Sequence, residues 1–443
     1  MIFMKYQIIT FGCQMNKSDS ERIAEILENG GYKPTSKENE ADLIVVNMCS
    51  VRQSAVDRVY GFAQKIKNLK IKKPKLKTVL TGCILEKDRK KFKSQFNFIL
   101  NIKTLPIWPK ILKNKTATLF MRSQRNCSSF EYLKIQPKYT NNFSALVPVS
   151  TGCNSFCAYC VVPYVRGPLI CRDHREVLRE IKELIKKGFK EIWLLGQNVN
   201  DYKSPTNPKI NFAKLLEKVN DLPANFWIRF TSPHPQNFSD ELIEKMAKSQ
   251  KVTPYLNLPL QSGDDEILKK MRRNYTTEKY GALVKKIRQA FRKYRKGLEK
   301  EVLISTDIIV GFPEEKKEQF ENTLKFFKKI RFAMAYIAKY SPRPGTLAFN
   351  LKDEVTQLEK KKREKKLTKI LKENGLKFNK KFLGKKVEVL VDEKRKNFYF
   401  GKTRHYQTIK IKTEKNILGE LVKAKVKKAM SYGLEGKLVK TLP

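Results

Sequence analysis

The feature that most constrains the fold is a repeated alternation of apolar, β-branched runs with amphipathic helical segments. In the first third of the chain the runs are YQIITFG, DLIVVNM and KTVLTG, and segments such as SDSERIAEILENGGY separate them. This alternation predicts successive strand-helix units and hence a parallel sheet. We therefore expect an α/β class protein that begins with a Rossmann-like parallel α/β domain over residues 1–138.

A cysteine follows each of these three runs, namely Cys13, Cys49 and Cys83. The intervals of 36 and 34 residues match one strand-helix-strand period. Because that period returns successive parallel strands to the same edge of a sheet, the three cysteines are expected to converge there. The alternative is three buried structural cysteines. It is disfavoured because each cysteine lies after its strand, in the loops FGCQMN, NMCSVR and TGCILE.

A second strand-helix series follows a polar stretch at residues 126–144, which we predict to be a linker that contains an incidental Cys127. Its six strand candidates are ALVPVSTGC, EIWLLGQNV, FWIRFTSP, YLNLPLQSG, EVLISTDIIVGFP and MAYIAKYSP. Six such units predict a partial (β/α)6 barrel over residues 139–378, with catalytic groups at the carboxyl ends of its strands.

After Phe382 the chain changes to short alternating strands punctuated by glycines, which predicts a small antiparallel β-barrel over residues 379–443. Lysines share these strands with aromatic residues, a mixture suited to stacking on bases and following phosphates. The aromatic residues are Phe398, Tyr399, Phe400 and Tyr406. The alternative is an ordinary small β-domain with basic edges.

Charge supports a polyanionic partner. Lysine and arginine number 92 against 44 acidic residues, a net charge of +48. A lysine-favouring genome explains part of the excess but not the shortage of acids, so nucleic acid is favoured over a membrane surface. The start of the chain reads as a first strand rather than a signal peptide, and no run approaches the roughly 18 apolar residues of a membrane span. We expect a soluble, cytoplasmic protein.

Three further cysteines are clustered in TGCNSFCAYC, at Cys153, Cys157 and Cys160. A structural zinc site fills four positions, but no second CxxC is present and His174 lies 14 residues beyond Cys160. Three thiolates on a [4Fe-4S] cluster leave one iron open. The amino and carboxylate groups of S-adenosylmethionine could bind that iron, and one electron would then cleave the sulfonium to a 5′-deoxyadenosyl radical. Three cysteines rather than four suit that chemistry.

At this point the chain resembles the radical S-adenosylmethionine methylthiotransferase family over nearly its whole length, most of all its MiaB type, which acts on N6-isopentenyladenosine next to the tRNA anticodon. The matching motifs are TFGCQMNKSDSE, NMCSVR, STGCNSFCAYCVVPYVRG, LLGQNVNDY, NLPLQSG, MRRNYT, TDIIVGFP and YSPRPGT. The glycine-punctuated tail is similar to the TRAM domain of these enzymes, which holds tRNA.

The resemblance implies two [4Fe-4S] clusters, one held by Cys153, Cys157 and Cys160 and an auxiliary one held by the first three cysteines. One S-adenosylmethionine would supply the radical that removes hydrogen from adenine C2, and a second the methyl group, with sulfur attached through the auxiliary cluster. The implied partners are the anticodon stem-loop of tRNA, a low-potential electron donor and a sulfur donor.

Candidate cofactor contacts follow from the strand ends and the matching motifs. They are Tyr159, Gln197, Asn198, Ser232, Gln261, Ser262, Arg273, Asp307 and Gly311. The polar strand-end residues are alternatively simple caps, and Arg273, which could pair with the cofactor carboxylate, is alternatively a surface arginine. Asp307 could bind the ribose or shape the pocket, and Gly311 would let the adenosine approach the backbone closely.

Arg166, Gly167 and Arg172 match the loop that follows the cluster in this family, but Cys171 stands where a serine is usual. Cys171 is expected to be a small buried thiol rather than a spare ligand. The chain also has GFPEE where GFPGE is commoner, which puts the geometry of that turn in question.

Other functions remain open at this point. Sister enzymes methylthiolate threonylcarbamoyladenosine in tRNA or an aspartate of a ribosomal protein. The GCQMN loop favours the isopentenyladenosine enzyme, and the basic tail favours RNA over a protein substrate. A different class is a zinc-stabilised RNA-binding protein without catalytic activity.

Overall fold

The computed structural model describes residues 4–113 and 131–442, so the predicted Cys127 and part of the predicted linker lie outside the described residues. The first unit is a five-stranded parallel sheet ordered β2-β1-β3-β4-β5. Its strands are β1 Lys5–Phe11, β2 Lys33–Pro34, β3 Leu43–Cys49, β4 Lys77–Cys83 and β5 Phe98–Ile99. Its helices are α1 Gln14–Asn29, α2 Gln53–Lys72, α3 Glu86–Phe92 and α4 Trp108–Lys113.

Strand β3 explains why this sheet forms. All seven of its residues are buried, because Leu43 and Val45 pack into the core on one face while Ile44 and Val46 pack into the core on the other. A continuous apolar run with helices on both faces is typical of a central parallel strand. The register places Cys49 directly opposite Cys83.

The central unit contains six parallel strands in two three-stranded sheets, β12-β9-β6 and β13-β14-β15. An isolated parallel bridge pairs Ile228 with Val252, which lies three residues before the first strand of the second sheet. The strands are β6 Ser144–Pro148, β9 Glu191–Leu195, β12 Trp227–Phe230, β13 Tyr255–Asn257, β14 Leu303–Val310 and β15 Met334–Lys339. These are the six predicted strands, and the partial barrel is confirmed.

Helices pack outside these strands and build the largest core. They are α5 Val162–Arg166, α6 His174–Lys186, α7 Phe212–Asn220, α8 Asp240–Lys248, α9 Asp265–Lys270, α10 Thr277–Tyr294, α11 Lys317–Ile330 and α12 Gln357–Lys380. Two short antiparallel pairs complete the unit, and they are β7 Ser150–Thr151 with β8 Ile170–Cys171, and β10 Lys203–Ser204 with β11 Asn207–Asn211. Short 3-10 helices span Ile102–Ile107, Glu131–Lys134, Val199–Asp201, Pro235–Asn237, Gly297–Lys300 and Leu347–Asn350.

The C-terminal unit is a closed five-stranded barrel ordered β16-β17-β18-β20-β19, as the sequence predicted. Its strands are β16 Lys386–Arg395, β17 Phe398–Thr403, β18 Thr408–Lys412, β19 Leu421–Met430 and β20 Gly433–Thr441. The barrel differs from the prediction in one pairing, because β18 and β20 run parallel where they meet. A five-stranded Greek-key barrel requires this closure, and the nucleic-acid-binding OB-fold is built in the same way.

A turn of this barrel, Thr403–Gln407, packs against the central unit. Arg229 of β12 is buried and donates to the carbonyl oxygens of Thr403 and Arg404 at 2.8 and 2.9 Å, and to a carboxylate oxygen of Glu191 at 2.6 Å. Tyr406 stacks on Tyr255 with ring centroids 4.5 Å apart. The barrel is therefore a packed part of the molecule rather than a loosely tethered appendage.

Within the part of the chain that the structure describes, none of the helices has the length and apolarity required to traverse a lipid bilayer.

Candidate functional site

Cys153, Cys157 and Cys160 lie on the loop after β7, at the carboxyl end of the partial barrel. The loop starts at Gly152, which has a φ of +81°, and a Cβ atom at this position would collide with the carbonyl oxygen of Pro168. Only glycine fits such a position. The local sequence therefore sets the sharp turn that folds three cysteines onto a single loop.

The chemistry of this loop fits a bound metal cluster. The Cys153 and Cys160 sulfur atoms accept backbone N–H groups of Ser155 and Val162 at 3.4 and 3.5 Å. Burial raises the pKa of Cys160 to about 12, and the neighbouring Cys157 and Cys153 sulfurs act in the same direction. Three thiolates in such surroundings need a cation to stay ionised, and metal coordination deprotonates a thiol. The three cysteines would hold the cluster.

Arg273 brings positive charge to the same loop. Its Nη1 lies 3.6 Å from the Cys157 sulfur, and its Nε and Nη2 donate to the Tyr275 hydroxyl at 2.9 Å and the Pro259 carbonyl at 3.0 Å. The guanidinium is buried, which is unlike the surface arginine that sequence left as an alternative. Tyr159 packs beside it in a small apolar cluster, and burial raises the pKa of its hydroxyl.

Gln197 and Asn198, after β9, contact the cysteine loop itself. The Gln197 side-chain oxygen accepts the N–H of Gly152 at 2.6 Å. The Asn198 amide donates to Ser155 at 3.3 Å and to Asp201 at 2.6 Å. Both side chains therefore hold the loop in position, and direct contact with a cofactor remains a prediction for each.

The predicted residues at the ends of β12 and β13 divide into two kinds. Ser232 and Gln261 have φ values of +54° and +71°. Non-glycine residues seldom adopt this region, and those that do cluster at functional edges. Ser262 is different, because its buried hydroxyl lies 3.4 Å from Thr323 of α11 and accepts the N–H of Asp264. That hydroxyl anchors the loop to a helix.

Asp307 and Gly311 lie along β14 and just after it. Asp307 accepts the Asn257 amide at 2.9 Å, and burial raises the pKa of its carboxyl. At Gly311 the structure gives a different reason for glycine from the predicted approach of adenosine. A Cβ there would collide with the buried stem of Lys360, whose Nζ is paired with Asp353 at 2.6 Å. Glycine makes room for that ion pair.

The GFPEE turn keeps the backbone that a glycine would adopt. Glu314 has a φ of +63°, and its carboxylate forms a salt bridge with Lys270 at 2.6 Å. The turn therefore keeps its backbone geometry although Glu314 replaces the commoner glycine. A non-glycine residue at this positive φ is strained. Cys171, the other departure, pairs with Ser150 between β8 and β7 and is partly buried.

Sequence reasoning missed His234, which follows β12 in the stretch TSPHP. Its buried ring lies 6.0 Å from that of Tyr275, and its Nδ1 accepts the N–H of Gln236 at 3.3 Å. Burial lowers the pKa of His234 to about 3, with a contribution from Arg273, so the ring is neutral. Within residues 4–113 and 131–442, its Nε2 atom is buried without a hydrogen-bond partner, as is Oδ1 of Asn198.

Unpartnered buried polar atoms in a folded protein are uncommon and call for a ligand or an ordered water. Those of His234 and Asn198 belong to residues at the carboxyl ends of barrel strands, where ligands bind in this fold. A polar cofactor such as S-adenosylmethionine fits this pair.

Cys13, Cys49 and Cys83 meet at the edge of the first sheet. Cys49 and Cys83 are directly paired across β3 and β4, and a shared hydrogen bond with Cys49, together with burial, raises the pKa of Cys83. Cys13 caps α1, with its sulfur 3.4 Å from Oδ1 of Asn16. The buried Asn16 amide donates to Asn47 of β3 at 2.9 Å, which fixes the Cys13 loop beside that strand.

Arg166 connects the two sets of cysteines. It ends α5, six residues after Cys160, and its Nε lies 3.0 Å from the Cys83 sulfur. Its Nη2 is paired with Asp19 at 2.6 Å, and both side chains are buried. The loop of one cysteine set thus contributes a fixed positive charge to the other.

Among the described residues, neither cysteine set forms a site for a single metal ion. Among residues 4–113 and 131–442, no three cysteine, histidine or carboxylate side chains lie close enough together to hold one metal ion. A structural zinc ion requires four ligands at about 2.0–2.3 Å from a single point. In a [4Fe-4S] cluster each thiolate binds a different iron, so the sulfurs need not meet at one point.

Comparison with known proteins agrees with this site. Residues 147–327 match the Radical SAM superfamily, residues 5–101 match the Uncharacterized protein family UPF0004, and residues 379–439 match the TRAM domain. The tRNA-2-methylthio-N(6)-dimethylallyladenosine synthase of Clostridium botulinum (strain Hall) is 39% identical over 443 residues, covering 98% of this chain and 96% of the relative. The synthase of Carboxydothermus hydrogenoformans is 38% identical over 447 residues, with coverages of 98% and 99%.

The chain belongs to the radical S-adenosylmethionine tRNA methylthiotransferase family. It is therefore an enzyme, and its family implies a [4Fe-4S] cluster and S-adenosylmethionine as cofactors. The solved structure of the radical S-adenosylmethionine methyltransferase TsrM from Kitasatospora setae shares the fold, with a TM-score of 0.55 and 14% identity over 79% of this chain and 77% of that one.

The methylthiotransferase carries a row of lysines on its TRAM barrel. Lys386, Lys425 and Lys437 are directly paired across β16, β19 and β20, and all three are exposed. Like charges directly opposite each other destabilise a sheet. We call these three residues the lysine row, and a bound polyanion would neutralise it.

Two of the four barrel aromatics that the sequence analysis considered suited to base stacking are packed against protein instead. Tyr399 is buried in the barrel core, and Tyr406 packs against Tyr255 and Trp193 of the partial barrel. Phe398 is covered by the Lys410 ammonium at 3.9 Å from its ring centroid. Alternation of side chains along a strand predicts two faces but not which face a neighbouring domain covers.

Proposed function

We propose that this enzyme methylthiolates C2 of N6-isopentenyladenosine at position 37 of tRNA, in the anticodon stem-loop. The observation that carries the proposal is the pair of cysteine sets joined by Arg166, because sulfur insertion into an unactivated C–H bond needs both a radical source and a sulfur site. The names of the full-length relatives support the same substrate.

In this proposal Cys153, Cys157 and Cys160 hold the radical-generating [4Fe-4S] cluster. When bound, the cluster and S-adenosylmethionine supply a carbon-centred radical that removes hydrogen from the substrate. The protein contributes positioning, since Gln197 and Asn198 fix the cysteine loop. The neutral His234 offers its unpartnered Nε2 to a polar group of the cofactor. Arg273 offers a positive charge near the cofactor carboxylate.

Cys13, Cys49 and Cys83 would hold the auxiliary [4Fe-4S] cluster, which would supply the chemistry that attaches sulfur to the nucleoside. Arg166 stabilises negative charge on the Cys83 sulfur through its hydrogen bond. Besides S-adenosylmethionine, the reaction requires a low-potential electron donor and a sulfur donor.

The TRAM barrel supplies the affinity for tRNA. Phosphate contacts dominate the strength of protein–nucleic acid binding, and the exposed lysine row presents charges at strand spacing on one face. A row of exposed lysines suits the regularly spaced phosphates of a nucleic acid better than a protein side chain. This favours tRNA over the ribosomal-protein alternative.

The test is nucleoside mass spectrometry of tRNA after anaerobic incubation with reconstituted enzyme, reductant and S-adenosylmethionine. Two tRNA substrates are compared, one bearing N6-isopentenyladenosine and one bearing N6-threonylcarbamoyladenosine. We expect a methylthio product only from the first. Product from the second alone would assign the enzyme to the sister activity. A protein that binds zinc, contains no iron and leaves both nucleosides unchanged would instead be the RNA-binding alternative.

A further inference from the structure

A cavity of about 540 Å³ lies at the opposite end of the partial barrel from the cysteine loop. Val302, Leu303 and Ile304, at the start of β14, and Ala333, before β15, line it. The predicted cofactor residues of this strand lie farther along it, Asp307 about 13 Å and Gly311 about 26 Å from Leu303 along the extended chain. The cavity is therefore separate from the site described above.

The cavity wall carries many cations and few anions. Its basic residues are Arg288, Arg292, Lys300, Lys328, Arg331, Lys377 and Lys381, and its acidic residues are Glu301 and Glu373. Glu301 is already paired with Lys381 at 2.5 Å. Six of the seven cations form no salt bridge with any described residue, namely Arg288, Arg292, Lys300, Lys328, Arg331 and Lys377. Converging like charges repel one another, and a bound anion relieves that repulsion.

The cavity also has a built interior. Arg288 is half-buried and fixed by a hydrogen bond to the carbonyl oxygen of Ile330 at 2.7 Å. Burial lowers the pKa of Arg288, with Arg292 and Arg331 acting in the same direction, which reflects a positive field inside the cavity. Asn374 lines the same wall, and in the part of the chain that the structure describes its Nδ2 is buried without a partner.

The apolar part of the wall suits more than an inorganic ion. Phe378 and Ile370 join the strand residues in lining the cavity, and cavities of about 300–1,000 Å³ accommodate small organic ligands. Arginine side chains favour phosphate because the planar guanidinium binds two of its oxygens.

We propose that this cavity, the rear basic cavity, binds the phosphate groups of nucleotides. The phosphates have two possible sources, the backbone of tRNA and a free nucleotide. The first source rests on the proposed tRNA substrate, whereas the second goes beyond it.

A pair of charge-reversed variants tests the proposal in the full-length enzyme. The test variant is Arg292→Glu with Lys377→Glu, which changes two exposed side chains on the cavity wall. The matched control is Lys293→Glu with Lys372→Glu, which changes exposed residues of the same two helices that do not line the cavity. Both variants carry the same net charge. A difference in their binding therefore depends on where the substituted residues lie and not on total charge. Equal thermal unfolding of the two would establish that both are folded.

The measurements are the dissociation constants of fluorescently labelled tRNA at several salt concentrations and of ATP by calorimetry. If tRNA is the source, its dissociation constant rises at least fivefold more in the test variant than in the control. The slope of log affinity against log salt concentration then also decreases in magnitude by about 2, as expected for the loss of two phosphate contacts. If a free nucleotide is the source, ATP binds the wild type and the control equally and the test variant at least tenfold more weakly, while tRNA binding is equal in both variants.

Equal tRNA affinity together with equal ATP affinity, or no ATP binding, in the two variants would overturn the proposal. These binding measurements do not depend on turnover. A failure of methylthiolation with retained phosphate binding would therefore contradict the proposed function and leave the cavity assignment in place.

Discussion

The Nε atom of Arg166 lies 3.0 Å from the Cys83 sulfur, although the two residues are 83 positions apart. Arg166 follows the TGCNSFCAYC loop, whereas Cys83 ends strand β4 of the first sheet. The contact brings the two halves of the proposed site together through one buried guanidinium, which Asp19 neutralises.

Arg166→Gln should destabilise the protein by about 3–5 kcal/mol, because it leaves the buried Asp19 carboxylate without its partner. The free energy of unfolding in urea measures this. The double variant Asp19→Asn with Arg166→Gln should recover part of the loss, since neither charge is then buried alone. A double variant at least as unstable as Arg166→Gln would show that the ion pair is not the cause.

Cys157→Ala should abolish cleavage of S-adenosylmethionine, whereas Cys49→Ala should retain cleavage and yield no methylthiolated nucleoside. The reason is that the two residues belong to different proposed clusters. Chromatography of 5′-deoxyadenosine and mass spectrometry of the nucleosides measure the two steps. Cys171→Ser, outside both sets, is the control and should retain both products. Methylthiolated product from Cys49→Ala would falsify the auxiliary-cluster role.

Lys425→Glu should weaken tRNA binding, because Lys425 is the middle of the exposed lysine row. The slope of log affinity against log salt should decrease in magnitude by about 1 for each lost phosphate contact. Lys218→Glu, on the exposed side of α7 in the central unit, makes the same charge change and is the control. Equal salt slopes for the two variants would remove the row from tRNA recognition.

Deleting the residues after Phe382 is a less specific test of the same role. The deletion would remove the turn that accepts two hydrogen bonds from Arg229. The deletion would leave N–H donors of the buried Arg229 guanidinium without hydrogen-bond partners, which destabilises the protein. A loss of tRNA binding could then result from the lower stability rather than from the missing barrel.

Stability should fall as pH is lowered because of His405, whose ring is buried against Phe382. Burial lowers its pKa to about 3, below the ordinary value of about 6.5. Between these values the unfolded chain takes up a proton that the folded protein does not. The free energy of unfolding should therefore decrease by about 2 kcal/mol between pH 7 and pH 5 because of His405. Raising the pH above about 7 should not increase the contribution of His405 further.

The measurement is the unfolding free energy of metal-free protein at both pH values. His405→Gln, which retains a donor for the Leu298 carbonyl oxygen, should show a smaller decrease than the wild type by about that amount. His234 contributes equally to both proteins, so the difference isolates His405. An identical pH dependence would show that His405 titrates normally.

Local pattern was sufficient to predict much of the architecture. Apolar runs such as DLIVVNM form buried parallel strands. Side chains on both faces of such a run are apolar, so both faces must be covered by helices. The six central strands and the glycine-rich barrel followed from the same kind of periodicity, and the strand-helix period brought Cys49 opposite Cys83. The cofactor roles of the remaining candidate residues are still predictions.

Only the tertiary structure decided which distant side chains meet. Arg166 could not be assigned to Cys83, nor Gly311 to the stem of Lys360, from spacing alone. His234 carried no pattern of its own, and its importance lies in an unpartnered nitrogen beside Arg273 and Tyr275. Periodicity reports the local backbone and which face of an element is apolar, and these follow from interactions within a few residues. Contacts between elements depend on how whole units pack, so they are fixed only when the chain has folded.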